Sequence, residues 1–330
     1  MLLAYTHTAA VRAVLFFALL LIFFAAPAWS VEPLRLSVSK TPLSLPVYVA
    51  DSLGYFAAEG VALDIHEVIG GHRTLQELLA GTADLATSSE AVVMFNSFQQ
   101  SNYAVIATFV SSDDDVKIIT RADTGISNPR QLAGKRVGTV VGAASHYYLD
   151  TVLLLHGVDP KTVRLSNLQP EVMAEALKKG VVDAIAIWEP YPFKALKTVP
   201  GAKVLPKSDA YRLTFNLVVH KKHLGIRDED LVRLLRALDR AEQFIRGQPL
   251  KAMAILRERL QLDQSFIDWI WSRYIYRLTL DQSLLMTLEG EARWARQEGY
   301  VKGRQSPNYL NFIYTAPLSR VRPSAISIVQ

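Results

Sequence analysis

Serines, carboxylates and one tryptophan that follow directly on short apolar stretches are the groups in this chain best suited to hold a small molecule. Residues 85–87 run into Ser88, Ser89 and Glu90, and residues 184–187 run into Trp188 and Glu189, followed by Pro190 and Tyr191. Hydroxyls at Ser88 and Ser89 can donate to an anion or accept from an amine. Trp188, beside a charge and a helix-breaking proline, offers an apolar face for stacking rather than core volume. A third cluster, Gly142-Ala143-Ala144-Ser145-His146, stands between an apolar stretch and a helical pattern. Small residues there let a ligand approach backbone N–H groups at a helix amino terminus, and Ser145 can donate to that ligand or simply cap the helix. All of this is non-covalent chemistry.

Signals for bond-breaking chemistry are missing from the sequence. Gly134-Lys135-Arg136 and Gly138 look only superficially like a phosphate loop, because no Gly-Lys-Ser/Thr follows four residues after another glycine. Ser145 has no Gly-x-Ser-x-Gly elbow around it, and no sequence signal places a base within reach of its hydroxyl. The seven histidines form no His-Glu-x-x-His motif, and His220 and His223 surround two lysines without an obvious carboxylate partner. Asp113-Asp114-Asp115 lacks the spaced acids and terminal Glu of a calcium loop, and reads as a solvated hinge. The chain has no cysteine, which removes disulfides, thiolate metal sites, a cysteine nucleophile and a lipidated cysteine. The expectation is no catalytic residue, no metal and no cofactor.

The elements that must position the candidate groups repeat. Leu78-x-x-Gly81-x-x-Asp84 recurs as Leu177-x-x-Gly180-x-x-Asp183, displaced by 99 residues. In each copy a helical pattern, over 74–80 and 172–179, meets a glycine able to take the left-handed conformation that ends a helix, and a short strand follows. Ligands of open α/β sheets lie beyond the carboxyl ends of strands, facing helix amino termini. Two such units predict two α/β lobes sharing one cleft. Around the first copy, strands over 34–39, 61–68, 85–87 and 104–110 alternate with helices over 47–58, 74–80 and 91–99, the pattern of a mostly parallel sheet. A second series follows Gly134: strands over 136–141, 162–165 and 184–187 with helices over 145–156, 171–179 and 191–196. Strands over 116–121, 203–205 and 213–219 connect the two series. Helices are expected over 228–246, 249–259, 265–276 and 282–297, where Phe266, Ile270, Tyr274 and Leu278 form a four-residue apolar stripe, with Trp269 and Trp271 read as packing residues.

Composition sets the compartment and the partners. The 330 residues, 50% hydrophobic and 20% charged, suffice for about two domains and exclude disordered or collagen-like classes. Arg12 is the only Lys or Arg in the first thirty residues; an apolar block over 13–26 and Pro27-Ala28-Trp29-Ser30 follow it. This is a signal-peptide layout, with cleavage after Ser30 or Ala28. A retained anchor is the alternative, disfavoured because the block falls short of the roughly 20 apolar residues of a spanning helix. A formal charge of +5, interspersed along the chain, is too mild for nucleic-acid binding.

Taken in order, several stretches resemble the nitrate, sulfonate, taurine and thiamine-pyrimidine group of periplasmic solute-binding proteins of ABC importers. They are Leu45-Pro46-Val47-Tyr48-Val49-Ala50, Gly54-Tyr55-Phe56-x-x-Glu59-Gly60-Val61, the Gly81 and Gly180 phrases, Leu132-x-Gly134-Lys135-Arg136-Val137-Gly138, Ser145-His146 and Trp188-Glu189-Pro190-Tyr191. Pro317-Leu318-x-x-Val321-Arg322-Pro323 looks like the family's closing segment. The resemblance implies a type II periplasmic-binding-protein fold: an exported leader over 1–30, one lobe from 31–112 with 213–330, including the C-terminal helices, and a second lobe over 113–212. Hinges fall near 111–116 and 211–216. It implies clamshell closure on a small anionic or zwitterionic solute and a permease partner at the inner membrane, with no covalent chemistry. The expected contacts are Thr41, Pro42, Ser88, Ser89, Gly142, Ser145, Trp188, Glu189 and Asn216. The family more often has Asp where this chain has Glu189, so that contact can differ. A periplasmic monomer is expected. The competing readings are a ligand-sensing ectodomain that works with a signalling partner, and a pyrimidine-forming enzyme on the same fold. The enzyme reading is disfavoured by the missing cysteine-rich signature and by the leader.

Overall fold

The computed structural model of the chain describes residues 32–208, 211–303 and 305–329; the expected leader lies outside the described residues. Alternating apolar strands and amphipathic helices build the first part in order: β1 (Leu34–Ser39), α1 (Leu45–Ser52), α2 (Tyr55–Ala58), β2 (Leu63–Val68), α3 (Gly71–Leu79), β3 (Leu85–Ser89), α4 (Glu90–Ser97) and β4 (Tyr103–Ser112). The next run is β5 (Val116–Thr120), β6 (Arg136–Thr139), α5 (Ala144–Leu155), β7 (Arg164–Asn167), α6 (Met173–Lys178), β8 (Ala184–Trp188), α7 (Tyr191–Thr198) and β9 (Lys203–Val204). The last is β10 (Leu213–His220), α8 (Asp228–Gly247), α9 (Pro249–Leu260), α10 (Gln264–Ile270), β11 (Ile275–Thr279), α11 (Gln282–Gln297) and α12 (Ala316–Val321).

Two mixed sheets result, flanked by helices. The first has six strands in the order β11-β4-β10-β3-β1-β2, the second five in the order β7-β6-β8-β5-β9. Each has a parallel trio, β2-β1-β3 and β7-β6-β8, with an antiparallel strand beside it. The first sheet is therefore less parallel than the alternation predicts, because β10 returns from the second sheet and inserts antiparallel between β3 and β4. Helix α8 packs against α1, α2, α9, α12 and the edge strand β11, burying a stripe at Leu231, Leu234, Leu235, Leu238, Ala241 and Ile245. Each large aliphatic side chain so buried contributes about 1.5–3 kcal/mol.

The repeated phrase shapes both sheets in the same way. Gly81 and Gly180 take φ of 79° and 72°, ending α3 and α6. The Asp84 carboxylate accepts from Arg35 N at 3.1 Å, Nε at 2.9 Å and Nη2 at 2.8 Å, clamping β3 to β1. Asp183 accepts from Arg136 N, Nε and Nη2 at 2.9, 3.2 and 2.7 Å, clamping β8 to β6.

One expected helix is corrected. Over 265–276 the helix stops at Ile270, a 3₁₀ turn follows, and Ile275–Thr279 form β11 on the outer edge of β4. A period of four is also a multiple of two, so the stripe through Tyr274 and Leu278 fits one face of a strand equally well. Asp113-Asp114-Asp115 is also not a solvated loop throughout: Asp114 and Asp115 are buried. Asp114 pairs with Arg273 and, at 3.4 Å, with Lys117.

Candidate functional site

The strand ends Ser39, Ser89 and Trp188 border one narrow space between the two sheets. From the first sheet and its helices it is lined by Thr41, Gly71, His72, Ser89, Leu213 and Phe215, and from the second by Asp115, Ala143, Ala144 and Trp188. After β1 the chain turns sharply because Ser44 Oγ and Tyr48 Oη both donate to the Ser39 carbonyl, at 2.7 and 3.1 Å. Thr41 caps the short 3₁₀ turn that follows, accepting from Leu43 N at 3.4 Å.

Three helices start at this space. Gly71 and His72 begin α3, Ser89 is the residue before α4 and makes no side-chain capping bond, and Ala143 and Ala144 open α5. First-turn N–H groups have no partner within a helix and carry the positive end of its dipole, so the three together favour an anionic group. Among the described residues no Lys or Arg lines the cavity.

Two titratable side chains complicate that field. Asp115, 1% exposed, accepts from Tyr274 Oη at 2.7 Å through Oδ1, while its buried Oδ2 has no hydrogen-bond partner. Burial pushes its carboxyl up to about 7, against the pull of Tyr274 and Lys117 and with a further push from Glu189 and Glu90. Burial, with the neighbouring Arg73, pushes His72 down to about 4, so its imidazole is neutral near pH 7. The His72 ring lies 6.0 Å from the Trp188 ring at an interplanar angle of 59°.

The other residues expected at the site lie elsewhere. Pro42 is buried beside Thr41. Ser88 stands behind the lining and donates to the Gly71 carbonyl at 2.8 Å, holding the start of α3. Gly142 borders a wider neighbouring space with Phe95, Tyr300 and Lys302, which shares His72 and Val92 with the first. Ser145 is buried and accepts from Thr139 Oγ1 at 2.9 Å. Asn216 is buried within β10, where it accepts from Thr108 Oγ1 at 2.6 Å. Glu189 is fully buried; it pairs with Lys117 Nζ at 3.1 Å and accepts from Trp269 Nε1 at 2.7 Å and Phe193 N at 3.2 Å. Glu90 accepts from Tyr211 Oη, and from Thr214 N and Oγ1 at 2.7 and 2.9 Å. Burial pushes its carboxyl upward.

At the rim, Arg73 of α3 reaches the turn before α6, donating to Glu171 at 2.5 and 3.3 Å and to Gln169 at 2.8 Å. Sequence reasoning missed His72 and Asp115 as lining residues. The Gly70-Gly71 pair after a strand is a sequence signal that could have marked a close approach at His72. Asp115 was hidden in a run of acids, and its partner Tyr274 lies 159 residues away.

Residues 41–252 match the family model described as NMT1/THI5 like. A Bacillus subtilis protein provisionally named an aliphatic sulfonates-binding protein is 26% identical over 234 residues, 68% of this chain and 69% of its own. The taurine-binding periplasmic protein of Escherichia coli is 26% identical over 49% of this chain and 51% of its own. An enzyme, the 4-amino-5-hydroxymethyl-2-methylpyrimidine phosphate synthase of Legionella pneumophila, is 26% identical over 45% of this chain and 48% of its own. Among solved structures, the alkanesulfonate-binding protein SsuA of Xanthomonas axonopodis pv. citri bound to MOPS superposes with a TM-score of 0.78 at 16% identity, over 87% of this chain and 100% of that one.

Proposed function

Because the chain belongs to the NMT1/THI5-like family and has the two-lobed fold of periplasmic binding proteins, we propose that it is a solute-binding protein that closes on a small anionic or zwitterionic solute of the sulfonate class and delivers it to an ABC importer. The observation that carries this reading is the convergence of three helix amino termini, from both sheets, on one cavity with Trp188 as a wall. Residues 31–112 with 213–330 form one lobe and 113–212 the other. The leader directs export and is cleaved, leaving a periplasmic monomer. Among the described residues no helix is long and apolar enough to cross a membrane.

Closure follows from differential affinity. A solute held by Ser89 and Thr41 on one side and Trp188 on the other makes its full set of contacts only when the lobes meet, so it shifts the population toward the closed form. The rim contacts of Arg73 with Glu171 and Gln169 then act as a strap. The sulfonate class is supported by what the relatives bind and by the helix ends, which suit a group with several acceptor oxygens.

A thermal-shift panel of taurine, alkanesulfonates, nitrate, carboxylates and pyrimidines tests the proposal. A bound compound at 100 times its Kd should stabilise the protein by about 2.7 kcal/mol. No stabilisation by any sulfonate would reject the class, and chemical conversion of a bound compound would favour the enzymatic reading instead.

A further inference from the structure

We propose that Asp115 selects the solute by accepting a hydrogen bond from an amino or ammonium group, so that the protein takes amine-bearing anions in preference to their amine-free counterparts. The inference rests on the reading of the cavity as the solute site. Its starting point is a contradiction within the lining. Three helix amino termini favour negative charge, yet the lining of the same small space includes a buried carboxylate and, among the described residues, no lysine or arginine; Lys117 acts on that carboxylate from outside the lining. A plain anion would satisfy the helix ends and be repelled by Asp115. A molecule with an anionic group at one end and a donor at the other satisfies both.

Hydrogen-bond geometry separates Asp115 from the other carboxylates nearby. Glu189 is taken by Lys117, Trp269 and the Phe193 N–H, Glu90 by Tyr211 and Thr214, and Asp114 by Arg273 and Lys117. Asp115 alone among them lines the cavity, with Oδ1 fixed by Tyr274 and Oδ2 unsatisfied. A buried acceptor without a partner carries a desolvation penalty that a donating ligand removes and an amine-free analogue does not. Glu189, an expected ligand contact, is already occupied, and the acceptor left for a ligand's amine is Asp115.

The charged and titratable groups around Asp115 are Tyr274, Tyr276, Lys117, Glu189 and Glu90, with neutral His72 across the cavity. Asp115 is partly protonated near neutrality, and an ammonium draws out the ionised form. Binding of an amine-bearing solute therefore releases a proton and tightens as pH rises from about 6 to about 8. A protonated Asp115 that donated to an anion would give the opposite slope.

Isothermal titration with matched pairs tests the proposal: taurine against ethanesulfonate, 3-aminopropanesulfonate against propanesulfonate, and β-alanine against propionate. The wild-type protein should prefer the amine-bearing member of a binding pair by about tenfold or more. Asp115→Asn should reduce that preference to below about threefold, and Tyr274→Phe, which leaves the carboxylate in place, should retain most of it. The wild-type ratio decides the matter even where the Asp115 variant folds poorly. Equal affinity for both members, an unchanged ratio in D115N, or amine binding that weakens with rising pH would overturn the proposal while leaving the cavity as the solute site. Binding of nitrate or pyrimidines alone, with no amine-bearing member bound, would overturn it in the same way. Absence of binding by the whole panel would reject the site and the proposal together.

Discussion

Arg35 clamps Asp84 at the foot of β3 and Arg136 clamps Asp183 at the foot of β8, with the same three donor atoms in each case. At the other end of these strands the same displacement of 99 residues sets Ser89 against Trp188 and Glu90 against Glu189. The feet are alike because they hold a parallel strand pair together in both sheets. The cavity ends differ because each contributes one wall: a hydroxyl at a helix start from one side, an indole from the other. The two buried glutamates show two ways of accommodating the same carboxylate. Glu189 is paired with Lys117, whereas the groups that bond Glu90 are Tyr211 and Thr214, and its carboxyl is driven upward by burial. Glu291 of α11 is buried nearby and is raised well above the ordinary carboxylate range by burial and by Glu90.

The largest expected effect breaks the second wall. Lys117→Met leaves Glu189 and Asp114 buried without their cation and should cost about 3–5 kcal/mol in chemical denaturation. Stability equal to wild type would mean the lysine is not what compensates Glu189. The matching test in the first wall uses pH. The Glu90 carboxyl is raised from 4.5 to about 7, so its contribution is full below pH 4.5 and is lost as pH rises through that window. Glu90→Gln should flatten that loss of stability with rising pH in chemical denaturation, and identical pH profiles for variant and wild type would contradict this. Next in size, Trp188→Ala should weaken the best-binding panel compound by roughly tenfold without unfolding the protein, and Ser89→Ala by less, about two- to fivefold. The reverse order would exchange the importance of the two walls. Arg73→Ala should change stability by less than about 1 kcal/mol, as expected for a half-exposed ion pair, and show itself in faster solute release by stopped flow.

Much of the architecture was legible because it rests on local signals: periodicity of apolar residues, glycines that end helices, and the repeated Leu-x-x-Gly-x-x-Asp phrase. The role of that phrase was less legible. Its aspartates face neighbouring arginines at strand feet, and it is Ser89 and Trp188, five positions later, that line the cavity. Strand β11 was misread because a four-residue stripe fits both a helix and a strand. Side-chain direction was the other limit: Ser88, Ser145 and Asn216 sit where the sequence placed them but bond inward to Gly71, Thr139 and Thr108. Partners remote in sequence, such as Trp269 for Glu189 and Tyr274 for Asp115, decide which carboxylates are satisfied and which face the cavity.

A crystal structure with the panel compound that stabilises most tests the central claim directly. The account predicts the compound between the two sheets, touching Ser89 on one side and Trp188 on the other, with its anionic group at the helix amino termini. A compound bound against one sheet alone, or outside this cavity, would contradict it.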